Sequence, residues 1–222
     1  MQNYLAPLEA EFRKNYHAQN SIAIKSYLKN QFDSYGISTP ERRKICVTHM
    51  HKGLPPYRGI KTIVKACWKR PQREWQYFAI ELLAGYKKVW DENIIELMEW
   101  MIIHKSWWDT VDHIASELTG PYFLVFPRKI VPVTSAWNGS DNIWLQRSSL
   151  MFQKKYRSGT NLQLLAKYIL KLRHSKEFFV QKAIGWALRE YSKTNPAWVR
   201  TFVGTYDLPP LSHKEAMKRI NK

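Results

Sequence analysis

Apolar residues recur along most of the chain at the three- and four-residue intervals of an amphipathic helix, and no segment keeps the two-residue alternation of a strand. The pattern therefore predicts an all-α protein with short connections. The predicted helix starts are Ser38-Thr39-Pro40-Glu41, Asp91, Ser106, Asp141 and Asn195-Pro196, and the predicted stops are Gly53, Gly120-Pro121, Gly159 and Pro209-Pro210. Residues 121–139 give the least clear pattern because Pro127 and Pro132 interrupt it.

Several polar and aromatic residues repeat at a regular interval. Trp108 and Asp112 are four residues apart and share one helix face. Arg147 follows Asp112 after about 35 residues, Lys182 follows Arg147 after the same interval, and Trp186 comes one turn later. Stacked helical repeats align equivalent positions on one surface in this way, and they leave a concave face. A solenoid is the favoured interpretation, and an ordinary helical bundle with chance spacing is the alternative.

Length and charge limit the partners of the chain. Its 222 residues are enough for one sizeable core, so we expect a single domain over residues 1–222. Lys and Arg total 35 against 18 Asp and Glu, a formal net charge of +17, which favours binding to nucleic-acid phosphate. An anionic membrane surface is the alternative, but no single helix is basic on one side and bulky and apolar on the other.

The sequence also predicts a compartment. No apolar run approaches the roughly 20 residues of a membrane span, and the N-terminal segment lacks a signal-peptide core. Two cysteines, Cys46 and Cys67, in a chain of this length are typical of a reducing environment. We therefore expect a cytoplasmic protein, associated with the nucleoid of a bacterium.

The motifs GISTPERRK, KSWWDTVD, SDNIWLQR, SKEFFVQKAIGWALREYSKTNP and LSHKEAMKRI, in this order from about residue 20 onwards, resemble those of the AlkD-type DNA glycosylases. The resemblance implies an all-α, right-handed superhelical solenoid of HEAT-like repeats with a concave basic face. It implies excision of cationic N3- and N7-alkylated purines, such as 3-methyladenine and 7-methylguanine, from duplex DNA without strand cleavage. The functional residues carried over by the motifs are Trp108, Asp112, Arg147 and Trp186, with Tyr27 contributing to DNA binding. Ser38 departs from the family pattern, where Gln can occur.

The residues support this chemistry independently. N-alkylation makes a purine a good leaving group, and the sugar becomes oxocarbenium-like as the glycosidic bond breaks. A carboxylate such as Asp112 stabilises that charge more than it stabilises the ground state, and it can orient or deprotonate water. Trp108 and Trp186 attract cations through their ring faces. An internal salt bridge of Asp112 is the alternative role. Trp75, Trp107 and Trp144 are the tryptophans expected in the core.

Arg147 is expected to grip a phosphate in two-pronged fashion, with a surface salt bridge to Asp141 or another acid as the alternative. Arg42 and Arg43 stand near a helix start, where free backbone N–H groups add affinity for anions. The predicted DNA-binding residues are Tyr27, Thr39, Arg42, Arg43, Lys154, Lys155, Lys182 and Arg189. Any one of these cations is more often simply solvated, so the prediction concerns the set.

The partner is predicted to be double-stranded DNA containing alkylated purines, bound by a monomer without a membrane. We expect no cofactor and no metal, because the histidines lack zinc spacing and no Gly-rich phosphate loop occurs. A lysine acting as a Schiff-base nucleophile stays open among so many lysines. Two other functions compete with the glycosylase: a non-catalytic DNA-binding solenoid and a protein-interaction scaffold. The complete Trp-Asp-Arg-Trp set disfavours the first, and the net charge disfavours the second.

Overall fold

The computed structural model describes residues 2–220, and their regular structure is helical apart from one isolated bridge between Asp33 and Gln72. The α-helices are α1 (Gln2–Lys14), α2 (Ala18–Tyr27), α3 (Thr39–His51), α4 (Ile60–Lys69), α5 (Glu74–Ala84), α6 (Ile94–Ile103), α7 (Trp108–Ile114), α8 (Gly120–Val125), α9 (Ile130–Gly139), α10 (Ile143–Met151), α11 (Leu162–Leu172), α12 (Phe178–Tyr191), α13 (Pro196–Thr205) and α14 (Pro210–Met217). The prediction of an all-α protein is confirmed.

The helices form two compact units, Met1–Trp90 and Asp91–Lys222. In the first unit α4 packs on α5 and α1 on α3, and Trp75 of α5 is fully buried in the core as predicted. In the second unit α10 packs between α9 and α12, and α12 also packs on α14. Trp107 and Trp144 are only half-buried there, in an aromatic cluster with Phe179. The single-domain organisation stays a prediction.

Capping side chains explain where several helices begin. The Ser38 hydroxyl accepts the backbone N–H of Glu41 and starts α3, and the Asn195 side chain accepts that of Trp198 and starts α13, as predicted. The α10 start lies one residue later than expected. Asn142, rather than Asp141, accepts the N–H groups of the first turn. This cap fixes the helix that carries Arg147.

Several predicted boundaries are wrong. The helix predicted to begin at Asp91 begins at Ile94, and α10 ends at Met151, well before the predicted stop at Gly159. Ser106 does not cap α7, because its hydroxyl donates backwards to the carbonyl of Ile102 and the helix begins at Trp108. Gly120-Pro121 does not end the helical run, because a π-helical turn at Ala115–Thr119 joins α7 directly to α8. The wider turn accommodates a proline that has no N–H to donate. Gly120 is required for close packing instead, since a Cβ there would lie 2.6 Å from the carbonyl oxygen of Phe152.

Side-chain hydrogen bonds in the second unit repeatedly join residues one repeat apart. Such bonds link Tyr168 with Thr134, Arg147 with Asp112, Tyr156 with Gly120, Trp137 with Glu99, and Lys155 with Glu117. Their separations of 34, 35, 36, 38 and 38 residues match the interval that the sequence shows. Equivalent positions of successive helical pairs therefore do meet. The superhelical curvature, its handedness and the concave basic face stay predictions.

Within residues 2–220, no helix combines the length and the apolar character that a membrane crossing needs.

Candidate active site

Asp112 and Arg147 form a two-pronged ion pair between α7 and α10. The Nε and Nη2 atoms of Arg147 donate to Oδ1 and Oδ2 of Asp112 over 2.6 and 2.7 Å, and Nη1 donates to the backbone carbonyl of Phe179 over 2.6 Å. The Arg147 side chain is 1% exposed and that of Asp112 is 14% exposed. A carboxylate held at both oxygens cannot rotate, so Asp112 is presented to solvent in one fixed orientation.

This geometry differs from the expected role of Arg147. A guanidinium that is buried, with all three nitrogens donating inside the protein, is not presented to a phosphate. The alternative of a salt bridge describes the structure better, although the partner is Asp112 rather than Asp141 and the pair is not on the surface. The same pair is the internal salt bridge that was the alternative role of Asp112. Sequence could not distinguish these roles, because burial of Arg147 depends on how α7, α10 and α12 pack.

Trp108 is the first residue of α7 and Asp112 follows one turn later, so the two share a helix face as the spacing indicated. Trp108 is half-buried. The beginning of α7 thus carries an aromatic side chain and a fixed negative charge on one helix face.

Trp186 lies on α12 and has cationic side chains around its indole ring. The centroid of that ring is 5.1 Å from the guanidinium carbon of Arg147, 5.4 Å from that of Arg189 and 5.9 Å from the Nζ atom of Lys182. These distances lie within the range of cation–π attraction, about 6 Å. Arg147 therefore connects Asp112 with Trp186, and three of the four residues expected in the active site are in one contact network.

Glu215 on α14 joins this network and was not predicted from the sequence. Its Oε2 accepts the indole N–H of Trp186 over 2.9 Å and Nη1 of Arg189 over 2.7 Å, while Oε1 accepts Nζ of Lys182 over 2.7 Å. Burial raises the pKa of Glu215, but the hydrogen bonds from Lys182 and Trp186 and the neighbouring charges lower it by more, so the pKa lies below its ordinary value. Glu215 is therefore a carboxylate at neutral pH.

A signal for Glu215 did exist in the sequence. It follows Lys182 by 33 residues, close to the interval that joins Asp112 and Arg147. The pairing was not predicted, because the sequence SHKEAMKRI fits a solvated helix as well as it fits a helix with one buried acid. The structure thus places Lys182 and Arg189, both predicted to bind DNA, in ion pairs with a buried carboxylate.

Gly185 explains how α14 comes so near to α12. A Cβ at this position would lie 2.5 Å from Cβ of Glu215 and 2.7 Å from the carbonyl oxygen of Ser212. The hydroxyl of Ser212 also donates to the carbonyl of Gln181 over 2.8 Å. The absence of a side chain at Gly185 therefore allows Glu215 to reach the next residue, Trp186.

The other cations predicted in the second unit have separate environments. Lys155 is exposed and is paired with Glu117. Lys154 is half-buried and lines a groove of about 400 Å³ together with Arg157 and Lys193. Both lysines keep their charge near the surface, so they fit an electrostatic contribution to DNA binding.

The predicted DNA-binding residues of the first unit divide into two groups. Tyr27, Thr39 and Arg43 are exposed, as a contact residue requires. Arg42 is buried, because both of its terminal nitrogens donate to the carboxylate of Glu81 over 2.9 Å and its guanidinium lies over the ring of Tyr77. The expectation that Arg42 contacts phosphate does not fit this structure. The helix period places Arg42 inward and Arg43 outward, although both were predicted to contact DNA.

Comparison with known proteins gives a consistent result. The family model described as DNA alkylation repair enzyme matches residues 8–220. A solved structure, a predicted DNA alkylation repair enzyme from Enterococcus faecalis, is 31% identical, covers 92% of this chain and 96% of its own, and superposes with a TM-score of 0.86. No protein of curated function matches the sequence significantly.

Two further solved structures share the fold at lower identity. AlkD2 from Streptococcus mutans is 18% identical, covers 82% of this chain and 90% of its own, and has a TM-score of 0.63. The smu.31 protein of the same species is 19% identical, with 81% and 91% covered and a TM-score of 0.62. With a family model spanning nearly the whole sequence and a relative at 31% identity, the chain belongs to the DNA alkylation repair enzyme family.

Proposed function

We propose that this protein is a monofunctional DNA glycosylase that hydrolyses the N-glycosidic bond of N3- and N7-alkylated purines in duplex DNA. The observation that carries the proposal is the fixed, partly exposed carboxylate of Asp112, held at both oxygens by Arg147 and standing one turn from Trp108. Every group invoked for the chemistry lies in the second unit, so a single chain suffices.

The substrate supplies much of the driving force. Alkylation at N3 or N7 leaves the purine with a positive charge, so the base departs as a neutral molecule and needs little protonation. The charge then moves to the deoxyribose, which becomes oxocarbenium-like. The reaction should therefore be selective for cationic purines, because a neutral purine would have to be protonated by an acid before it could leave.

Asp112 is positioned to stabilise the sugar. Two hydrogen bonds from Arg147 occupy one lone pair on each oxygen, and a carboxylate has about four acceptor sites. The remaining sites are able to accept a hydrogen bond from the attacking water, and the negative charge faces the developing oxocarbenium ion. Because Arg147 holds the group in place beforehand, no reorganisation is needed as the bond breaks.

The two tryptophans account for recognition of positive charge. The face of an indole ring attracts a cation within about 6 Å. Trp108 stands beside Asp112, and Trp186 is joined to it through Arg147. Both residues are half-buried, so neither is enclosed in the core.

Binding to the DNA backbone rests on distributed charge. The formal net charge of +17 and the exposed cations Arg43 and Lys155 favour phosphate contacts that carry no sequence information. We therefore expect affinity to fall steeply with salt and to change little with sequence. The proposed reaction consumes water and requires no nucleotide, metal or redox cofactor, and we propose that the protein acts in the cytoplasm.

The direct test is release of bases from duplex DNA treated with a methylating agent. The purified protein is incubated with this DNA in EDTA, and the released bases are separated and identified by mass. We expect 3-methyladenine and 7-methylguanine to be released, with abasic sites left in unbroken strands. Asp112→Asn, purified in parallel, controls for contaminating glycosylases. Binding of the DNA without any base release would instead favour the non-catalytic alternative.

A further inference from the structure

The carboxylate of Glu215 holds one tryptophan and two cations at once, and it is not among the groups that act on the sugar or the water. Resting on the proposed function, we propose that Glu215 is a positioning residue for Trp186. It anchors the indole through the ring N–H and neutralises Lys182 and Arg189 beside the ring, so that a cationic alkylpurine nucleotide at Trp186 is not repelled by them.

Distances show where the two cations are held. Lys182 and Arg189 each lie 2.7 Å from an oxygen of Glu215, whereas their charged ends are 5.9 and 5.4 Å from the centroid of the Trp186 ring. A contact of 2.7 Å to a carboxylate is a strong charge-assisted hydrogen bond, while about 6 Å is the outer limit of cation–π attraction. Both cations are therefore held directly by the carboxylate while they also lie over the ring.

Charge balance gives this arrangement a reason. Arg147, Lys182 and Arg189 are three positive charges around one indole, and a cationic base approaching that ring would be repelled by them. Asp112 pairs with the first and Glu215 with the other two, so the network retains one net positive charge. Acceptance of the indole N–H by an anion also makes the ring more electron-rich, which strengthens its attraction for a cation.

The backbone packing keeps Glu215 in place. The 2.5 Å separation between its Cβ and a Cβ built on Gly185 shows that α14 is seated directly against α12. Ser212, one turn before Glu215, is fully buried and tied to Gln181. Glu215 thus has little freedom to follow either cation away from the ring.

The experiment compares Glu215→Gln with Glu190→Gln in the full-length protein. Both substitutions remove one negative charge and keep the side-chain size. Glu190 also lies on α12, but its carboxylate is paired with Lys193 rather than with Lys182 or Arg189. It is therefore the matched control. Circular dichroism and thermal melting confirm that each variant is folded at the assay temperature.

Rate and affinity are expected to move in opposite directions. Glu215→Gln frees Lys182 and Arg189. We therefore expect this variant to bind undamaged duplex about two- to fivefold more tightly than the control variant does, with a steeper salt dependence. Single-turnover excision of 7-methylguanine at saturating protein should nevertheless slow by about tenfold, because the ring is less fixed and more crowded by cations. The Nε1 proton of Trp186, assigned by its loss in Trp186→Phe, should move upfield in the proton NMR spectrum.

Two results would overturn the proposal. One is a rate within about twofold of the control variant with an unchanged indole resonance. The other is a rate and an affinity that fall together with the melting temperature, which would make Glu215 a packing residue only. Failure of wild-type protein to release any base would overturn the proposed function instead. The indole resonance and the affinity for undamaged duplex would then still decide whether Glu215 positions Trp186 and the two cations.

Discussion

Each unit of the molecule contains a buried arginine in a two-pronged pair with a carboxylate. Arg42 donates to Glu81 and lies over the ring of Tyr77 at 4.9 Å, and Arg147 donates to Asp112 and lies over the ring of Trp186 at 5.1 Å. The carboxylate side chains are similarly accessible, 16% for Glu81 and 14% for Asp112. An arginine held between an acid and an aromatic ring is therefore not by itself a mark of catalysis.

The neighbours of the two pairs differ. Glu81 has a further cation nearby, since Nε of Arg43 lies 3.7 Å from it, so its charge is shared between two arginines. Asp112 instead has Trp108 one turn away on its own helix, and its arginine leads to a ring held by Glu215. One pair stabilises the packing of α3 on α5. The other fixes a carboxylate that lies one turn from Trp108 and is joined to Trp186 through Arg147.

Removal of Arg147 should have the largest effect. Arg147→Ala leaves Asp112 without its buried partner, and we expect it to lower the free energy of unfolding by about 3–5 kcal/mol. Arg42→Ala leaves Glu81 with Arg43 nearby, so we expect a smaller loss. Urea denaturation followed by circular dichroism measures this. Of the two variants, only Arg147→Ala should also lose excision activity in the molecules that remain folded. Equal loss of activity in both variants would contradict the distinction between the two pairs.

Asp112→Asn and Glu81→Gln separate the chemistry from the packing. Each neutralises the acid of one pair and should destabilise the protein similarly. We expect Asp112→Asn to slow single-turnover excision by about 100-fold, on the scale of ~3 kcal/mol for one preorganised electrostatic contact. Glu81→Gln should stay within about threefold of wild type. Binding of undamaged DNA by Asp112→Asn should be equal or slightly tighter. If Asp112→Asn excises at nearly the wild-type rate, Asp112 has only a structural role.

The close approach of α14 to α12 brings Glu215 to Trp186, and Gly185→Ala tests it. The added methyl group meets backbone and Cβ atoms of α14, so we expect a loss of about 1–3 kcal/mol of stability and a slower excision rate. Gly204→Ala is the control, because nothing lies within 4 Å of a Cβ there and alanine favours the helix α13. A melting temperature of Gly185→Ala equal to or above that of Gly204→Ala would contradict the close packing of α14 on α12.

The smallest expected effect is that of replacing Arg43, which differs from the adjacent Arg42 of α3 in its exposure. Arg43 is 62% exposed and Arg42 is 4% exposed. Arg43→Gln should weaken binding to undamaged duplex by about two- to fivefold and reduce the salt slope by ~0.9, the share of one phosphate contact. Fluorescence anisotropy across a series of salt concentrations measures both quantities. An unchanged slope would remove Arg43 from the DNA-binding set.

Local signals in the sequence predicted those parts of the fold that depend on nearby residues. The caps at Ser38 and Asn195 start helices as expected, because a cap is a hydrogen bond within one turn. The spacing of Trp108 and Asp112 predicted a shared face for the same reason. Gly120-Pro121 misled the prediction, since the π-helical turn and the approach of Phe152 depend on contacts distant in sequence.

For the site, the sequence by itself determined the residue types, their interval near 35 and the family motifs, because these are properties of order along the chain. Tertiary structure alone decided that Arg147 holds Asp112 instead of facing outwards, that Arg42 is buried, and that Glu215 meets Trp186. An arginine has the same composition and charge whether it binds a phosphate or a buried carboxylate. Its role is settled only when packing excludes water and leaves a carboxylate within hydrogen-bonding distance.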